Sequence, residues 1–231
     1  MFKNIILTAS IICAVCSKES DVKVSKSCKA LAMSGGGAKG SFEAGALWGL
    51  IMNDPNKTKY EYDVVTGVSA GAINTGAVSL FKKGDEVNMV KFLSDTWAGV
   101  NDGNIYKQWS PLGILTGLVE ESGVFDDNPA MDFLKSIFEQ FSYKIERKVA
   151  LSCVDVVTGA YHVFNETTSD PPKAVLSSAS IPFIFPHQVW PDNVVCMDGG
   201  TVWNTNLASA IQRCEEQVDD HSEITLDVII C

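Results

Sequence analysis

Lys29-Ala30-Leu31-Ala32-Met33-Ser34-Gly35-Gly36-Gly37-Ala38-Lys39-Gly40 is a short apolar run that stops on three glycines. Behind it, Ser41 to Met52 is rich in helix formers, with apolar side chains at Phe42, Ala46, Leu47 and Leu50. A strand that passes through a glycine turn into a helix is the opening of a βαβ unit. The pattern recurs at once: Asp63-Val64-Val65-Thr66 leads into Gly67-Val68-Ser69-Ala70-Gly71, and Ala70 to Leu80 is small-residue-rich and helix-compatible. Further strands are expected at Lys148 to Asp155, Ala160 to Phe164, Val194 to Met197 and Thr225 to Ile230. Helices are expected near Asp85 to Thr96, Pro129 to Phe141 and Leu207 to Glu216. This alternation predicts an α/β fold, a mostly parallel sheet covered by helices.

A chain of 231 residues can bury one sizeable core, and one domain is the expectation. Its first residues read differently from the rest. Lys3 precedes a nearly continuous apolar run from Ile5 to Val15, and Ala14 with Cys16 supplies a small-x-small cleavage pattern. The run is shorter than the ~20 residues that a bilayer requires. Residues 1–16 are therefore read as a signal peptide, which directs the protein to the secretory pathway or the extracellular space. Its removal takes Cys13 and Cys16 away and leaves Cys28, Cys153, Cys196, Cys214 and Cys231. No disulfide is assigned among these five, and Cys153 and Cys196, inside apolar strand-like runs, read as buried thiols. Asn56-Lys57-Thr58 and Asn165-Glu166-Thr167 are glycosylation sequons.

The formal charge is −10, from 18 basic and 28 acidic residues. Such a surface argues against a nucleic-acid partner and against electrostatic docking on anionic lipid, so membrane contact would have to be peripheral and apolar.

The glycine loop admits two meanings, because Gly35, Gly37 and Gly40 also satisfy G-x-G-x-x-G between a strand and a helix. A dinucleotide-binding unit closes its second strand on an acidic residue that takes the ribose hydroxyls. Here Asp63 opens the second run, which closes on Gly67-Val68-Ser69. A Rossmann-type oxidoreductase stays as the weaker alternative, without its ribose ligand. A nucleotide-triphosphate loop fails because no Lys-Ser/Thr pair follows Gly40. Read as an oxyanion hole, Gly35, Gly36 and Gly37 let the backbone approach a substrate closely and aim adjacent N–H groups at one oxygen.

Gly67-Val68-Ser69-Ala70-Gly71 reads as a nucleophile elbow, with Gly67 and Gly71 relieving a strained strand-to-helix turn and Ser69 left at a helix N-terminus. Its base has two candidates. His221 completes a Ser-Asp-His order but sits among Glu215, Glu216, Asp219, Asp220 and Glu223, which reads as solvated surface; His162 and His187 lie in other contexts. Asp198 ends the run Val194-Val195-Cys196-Met197, and Gly199 and Gly200 let the chain turn sharply to bring its carboxylate to Ser69. An unperturbed aspartate is a weaker base than histidine by about 2.6 pKa units, so burial or a close serine must recover part of the difference.

Taken in order, Gly35 to Gly40, Gly67 to Gly71 and Asp198-Gly199-Gly200 resemble the three signatures of the patatin-like phospholipase family. Gly123-Val124-Phe125-Asp126, Ser177 to Pro182 with Phe185-Pro186, and Asn204 add weaker matches. The similarity covers residues 29–231. It departs at Ser177, where the family usually has alanine, and at Asn206, where it often has proline. The resemblance implies a three-layer α/β/α domain and a Ser69-Asp198 dyad that hydrolyses fatty-acyl esters of phospholipids or other acyl lipids, with no cofactor and no metal. A non-catalytic lipid-binding or storage protein on the same fold is the other alternative.

Trp97 to Phe125 mixes Trp109, Pro111, Leu112, Ile114, Leu115, Leu118 and Val119 with glycines and few charges, and reads either as core or as a lid or acyl-chain groove. The chain stops in the strand-like Leu226 to Cys231. A domain seldom ends inside a strand, so an incomplete domain is expected there.

Overall fold

The computed structural model describes residues 27–110 and 113–231; the expected leader at residues 1–16 lies outside them. In chain order the elements are β1 (Cys28–Met33), α1 (Gly40–Asn53), β2 (Val64–Gly67), α2 (Ala70–Ser79), α3 (Glu86–Gly99), α4 (Asp102–Ile105), β3 (Lys107–Gln108) and α5 (Ile114–Val119). There follow β4 (Phe125–Asp126), α6 (Asn128–Glu139), β5 (Lys148–Asp155), β6 (Tyr161–Phe164), α7 (Pro171–Ser178), β7 (Gln188–Val189), β8 (Val195–Asp198), α8 (Leu207–Glu215) and β9 (Ile224–Ile229).

The sheet runs β7-β8-β5-β2-β1-β9, with β6 also on β5. Its centre is parallel: Leu31 lies opposite Val65 and Asp227, and Val65 opposite Val149. The far side turns antiparallel, since β8 returns against β5 and pairs Asp198 with Cys153. A mostly parallel sheet between helices is thus the architecture, as the alternation of apolar runs predicts.

Period-2 alternation explains the layers. On β1, Leu31 and Met33 join the core beneath α1, α2, α3, α6 and α7, while Ala30 and Ala32 face Ala210 and Cys214 of α8 on the opposite side. The two faces are unequal. The first carries Leu47, Met89, Leu93, Leu151 and Phe138, all buried, and each large apolar side chain placed there contributes roughly 1.5–3 kcal/mol. The second is built from small residues, which let α8 lie close to the strands, and Cys28 joins Cys214 in a disulfide that ties β1 to α8.

Cys153 and Cys196 form a second disulfide, across β5 and β8, where the sequence suggested free thiols. Pairing followed from strand order, which brings together two cysteines 43 residues apart. Helix α7 was not expected either. It starts on Pro171-Pro172 and is buried on nearly every side, so it carries no amphipathic stripe to read.

Candidate active site

Three turns meet at the C-terminal edge of the parallel strands. β2 ends at Gly67 and α2 begins at Ala70, and between them Ser69 adopts φ 55°, ψ −121°. A non-glycine residue in that conformation costs on the order of 1–3 kcal/mol and persists only where its surroundings hold it. Here they do. A Cβ on Gly67 would lie 2.1 Å from the Gly71 carbonyl, and one on Gly71 2.5 Å from the Met33 carbonyl, so the elbow closes only with glycine at both places. The Ser69 N–H donates to Ser178 O at 3.1 Å and Ser178 Oγ at 3.0 Å, and the Gly71 N–H donates to Ser34 O at 3.1 Å.

Ser178 belongs to a run that sequence reading treated only as a weaker family match. The structure gives it a physical role: Ser178 holds the elbow, Ser180 O accepts the Asp198 N–H at 2.8 Å, and Ser177 Oγ accepts the Trp190 indole N–H at 3.0 Å. All three serines are wholly buried. Consecutive hydroxyls at the end of an apolar helix were the signal, since buried polar groups are kept where they satisfy others.

Asp198 closes β8, as expected, and is 5% exposed. Its Oδ1 accepts the Gly200 N–H at 2.7 Å. Burial pushes its carboxyl above the ordinary aspartate range, and the Ser69 side chain and the Gly200 N–H that face it act in the opposite direction. Ser69 is 6% exposed. The serine and the carboxyl are therefore brought together in a largely desolvated corner, where the aspartate is a stronger base than it would be in water.

The glycine loop lies over the same corner. Gly35 is buried, and its N–H donates to Asn204 O at 2.9 Å while Asn204 Nδ2 donates back to Gly35 O at 2.9 Å. Gly35 spends its N–H on Asn204 and clamps the loop, whereas the N–H groups of Gly36 and Gly37 meet no acceptor among the described residues. Gly36 caps and Gly37 opens the short 3-10 turn Gly37–Lys39, whose first N–H groups have no partner inside the turn. Asn206, the other departure from the family pattern, caps α8: its Oδ1 accepts Ser209 N–H at 3.0 Å, and its Nδ2 donates to Ser152 Oγ at 2.7 Å.

The histidines stand apart. His221 precedes β9, whose parallel pairing with β1 puts it at the sheet edge opposite the elbow; its side chain is 76% exposed, with Nε2 2.6 Å from Glu215 Oε1. His162 packs edge-on against Phe164. Burial lowers the pKa of His187. No His, Cys, Asp or Glu cluster among the described residues is arranged to hold a metal ion.

Beside Ser69 opens a cavity of about 540 Å³, walled by Ile73, Trp97, Ile105, Leu134, Leu176 and Ile184. The first part of the Trp97 to Phe125 stretch thus lines a groove, through Trp97, Val100, Ile105 and Tyr106. The side chains of Leu115, Leu118 and Val119 lie outside the described ones. Asp102 and Asp127 add two acidic groups to this wall, the carboxyl of Asp127 pushed up to about 6 by burial and its Oδ2 accepting from Gln188 at 2.9 Å. A second depression, of about 350 Å³, is lined by Lys83, Arg147, Lys148 and Glu166 and contains none of these groups.

A family model described as patatin-like phospholipase matches residues 31–211. No curated protein matches the chain. Among solved structures, VipD from Legionella pneumophila is similar at 11% identity with a TM-score of 0.47, over 88% of this chain and 50% of that one. The chain spans about half the length of that structure.

Proposed function

The chain belongs to the patatin-like phospholipase family, and from that premise we propose that it is a lipid acyl hydrolase that cleaves fatty-acyl esters with Ser69 and Asp198. The observation that carries this reading is the meeting of the strained Ser69, the buried Asp198 and an apolar cavity at one strand edge. Ser69 Oγ attacks the ester carbonyl as Asp198 takes its proton. The carbonyl oxygen, now anionic, accepts hydrogen bonds from the Gly36 and Gly37 N–H groups. The tetrahedral intermediate then collapses, the C–O bond to the lysolipid breaks, and the proton on Asp198 passes to the leaving oxygen. Water, deprotonated by Asp198, attacks the acyl-serine; the C–O bond to Ser69 breaks, the proton on Asp198 returns to Ser69 Oγ, and the fatty acid is released. The cavity holds the acyl chain.

Phe42, Phe183 and Trp203, at 60%, 81% and 54% exposure, stand on the segments that follow the glycine loop, α7 and the Asp-Gly-Gly turn. Such residues favour an apolar, peripheral contact with a lipid surface. No helix among the described residues is long and apolar enough to cross a membrane. Entry into the secretory pathway through residues 1–16 belongs to the same reading, and two disulfides suit an oxidising compartment.

The test is incubation of the purified protein with a mixed lipid extract, with fatty acids and lysolipids followed by mass spectrometry and Ser69→Ala as control. Release that disappears in the control is expected. Lipid retained without turnover would identify a binding or storage protein instead.

A further inference from the structure

Glu43 lies one turn into α1 and is wholly buried, yet it takes no part in the reaction above and does not line the cavity. Its Oε2 accepts a 2.8 Å hydrogen bond from Asn74 Nδ2, and its Oε1 is buried with no hydrogen-bond partner among the described residues. Asn74, also wholly buried, stands on α2, the helix that starts from Ser69. The same Nδ2 donates at 2.9 Å to Gly40 O, where the glycine loop becomes α1. Its Oδ1 accepts the indole N–H of Trp97, on α3, at 2.6 Å. Trp97 walls the cavity and packs so closely on the loop exit that a Cβ on Gly40 would lie 2.7 Å from its ring. One carboxamide therefore joins the exit of the glycine loop, the helix of Ser69 and the cavity wall, and Glu43 is the one side chain among the described residues that, with the Gly40 carbonyl, holds its amide nitrogen.

A carboxylate buried this deeply is costly even with Asn74, Ser34 and Cys231 in reach, whereas the acid form carries no charge and has a proton to donate. Burial pushes Glu43 up to about 7, with Asn74, Ser34 and Cys231 acting against the rise. The groups facing it are Asn74 from α2, Ser34 from the end of β1 and the Cys231 thiol beyond β9, itself influenced by Lys39. Behind Asn74 stands the neutral Trp97 of α3.

We propose that Glu43 is a positioning residue that works in its acid form, setting the oxyanion loop and the Trp97 wall through Asn74, and that a charge on this dry site, drawn toward water, pulls Glu43 and the carboxamide bonded to it out of register. This rests on the reading of Ser69 as nucleophile beneath that loop. It gives the reaction a second pH limb: activity rises as Asp198 ionises and falls as Glu43 does.

The experiment compares the full chain with its Glu43→Gln and Glu43→Ala variants on a short soluble ester between pH 5 and 9. Wild-type kcat should fall as pH rises through about 7. Glutamine, which keeps an acceptor for Asn74 and a donor in place of the acid proton, should retain most of the activity and lose that alkaline limb. Alanine should lower kcat roughly ten- to a hundredfold with KM little changed. Tryptophan emission, titrated in Ser69→Ala and in Ser69→Ala/Glu43→Gln, supplies a readout that needs no turnover: a transition near pH 7 is expected in the first and absent in the second. An alkaline limb and an emission transition that both persist in the glutamine variants would overturn the proposal, as would an alanine variant of unchanged kcat. Should the alanine variant not fold, the glutamine profile decides alone. Turnover surviving in Ser69→Ala would instead sink the nucleophile assignment and leave the emission test standing.

Discussion

Replacing Gly35 by alanine places one methyl group where the glycine loop, the elbow and Asn204 converge. The new Cβ would lie 2.3 Å from Asn204 Oδ1 and 3.0 Å from Ser69 Cβ. The carboxamide can swing aside, but only by breaking its 2.9 Å hydrogen bond to Gly35 O, a loss of about 0.5–1.5 kcal/mol. The elbow cannot move, because Ser69 is held at its N–H by Ser178. The loop must therefore shift outward, and overpacking of this kind costs about 1–3 kcal/mol. With the loop go the Gly36 and Gly37 donors, and one misplaced oxyanion donor costs about 2.7–4 kcal/mol, a factor of roughly 10²–10³ in kcat. Turnover of a soluble chromogenic ester and a thermal melt separate the two effects: kcat should fall about a hundredfold, KM should change little because the cavity is untouched, and the melting temperature should drop by a few degrees. Adding Asn204→Ala removes the 2.3 Å contact and should restore part of the stability without restoring kcat. If Gly35→Ala melts lower yet turns over within a few-fold of wild type, the loop is a clamp and not an oxyanion hole.

Asp198→Asn should reduce turnover by at least about a hundredfold, since an amide cannot take the serine proton, while His221→Ala should leave it within about twofold; a histidine variant that folds but is inactive would replace the dyad by a triad. The acid limb of kcat/KM should lie above the ordinary aspartate range, because burial raises Asp198 and only its ionised form is a base; a limb at or below that range would contradict the desolvated corner. Replacing Cys153 and Cys196 together by alanine should cost roughly 2–4 kcal/mol and lower kcat, because Asp198 follows Cys196 by two positions on β8; an unchanged melting curve would mean that the bond does not form. Glu43 binds its proton more tightly folded, at about 7 against an ordinary 4.5. The contribution of Glu43 to stability should therefore be whole below about pH 4.5, be lost as pH rises to about 7, and leave the wild type at pH 8.5 below Glu43→Gln by up to about 3 kcal/mol; equal pH dependence of the two melts would refute it.

Much of this was legible in the sequence because parallel strands buried on both faces are short apolar runs, and those at Lys29, Asp63 and Lys148 became β1, β2 and β5 nearly residue for residue. The elbow was legible for a related reason: a glycine on each side of Ser69 marks a turn that other residues cannot make. What escaped depends on contacts between distant segments. That Gly35 gives its N–H to Asn204, 169 positions away, follows from packing and not from spacing. The Ser178 brace, the Asn74 hub and the Cys153–Cys196 bond share that origin. So does α7, whose burial on nearly every side leaves no periodic pattern to detect.

Covalent labelling with a fluorophosphonate, mapped by peptide mass spectrometry and timed in the wild type, Ser69→Ala and Asp198→Asn, bears on the whole arrangement at once. A single adduct on Ser69 is predicted, absent from the alanine variant and formed at least about tenfold more slowly in the asparagine variant, whose melting curve should remain close to wild type. An adduct on another residue, or labelling of Asp198→Asn at the wild-type rate, would contradict a serine activated by that carboxylate.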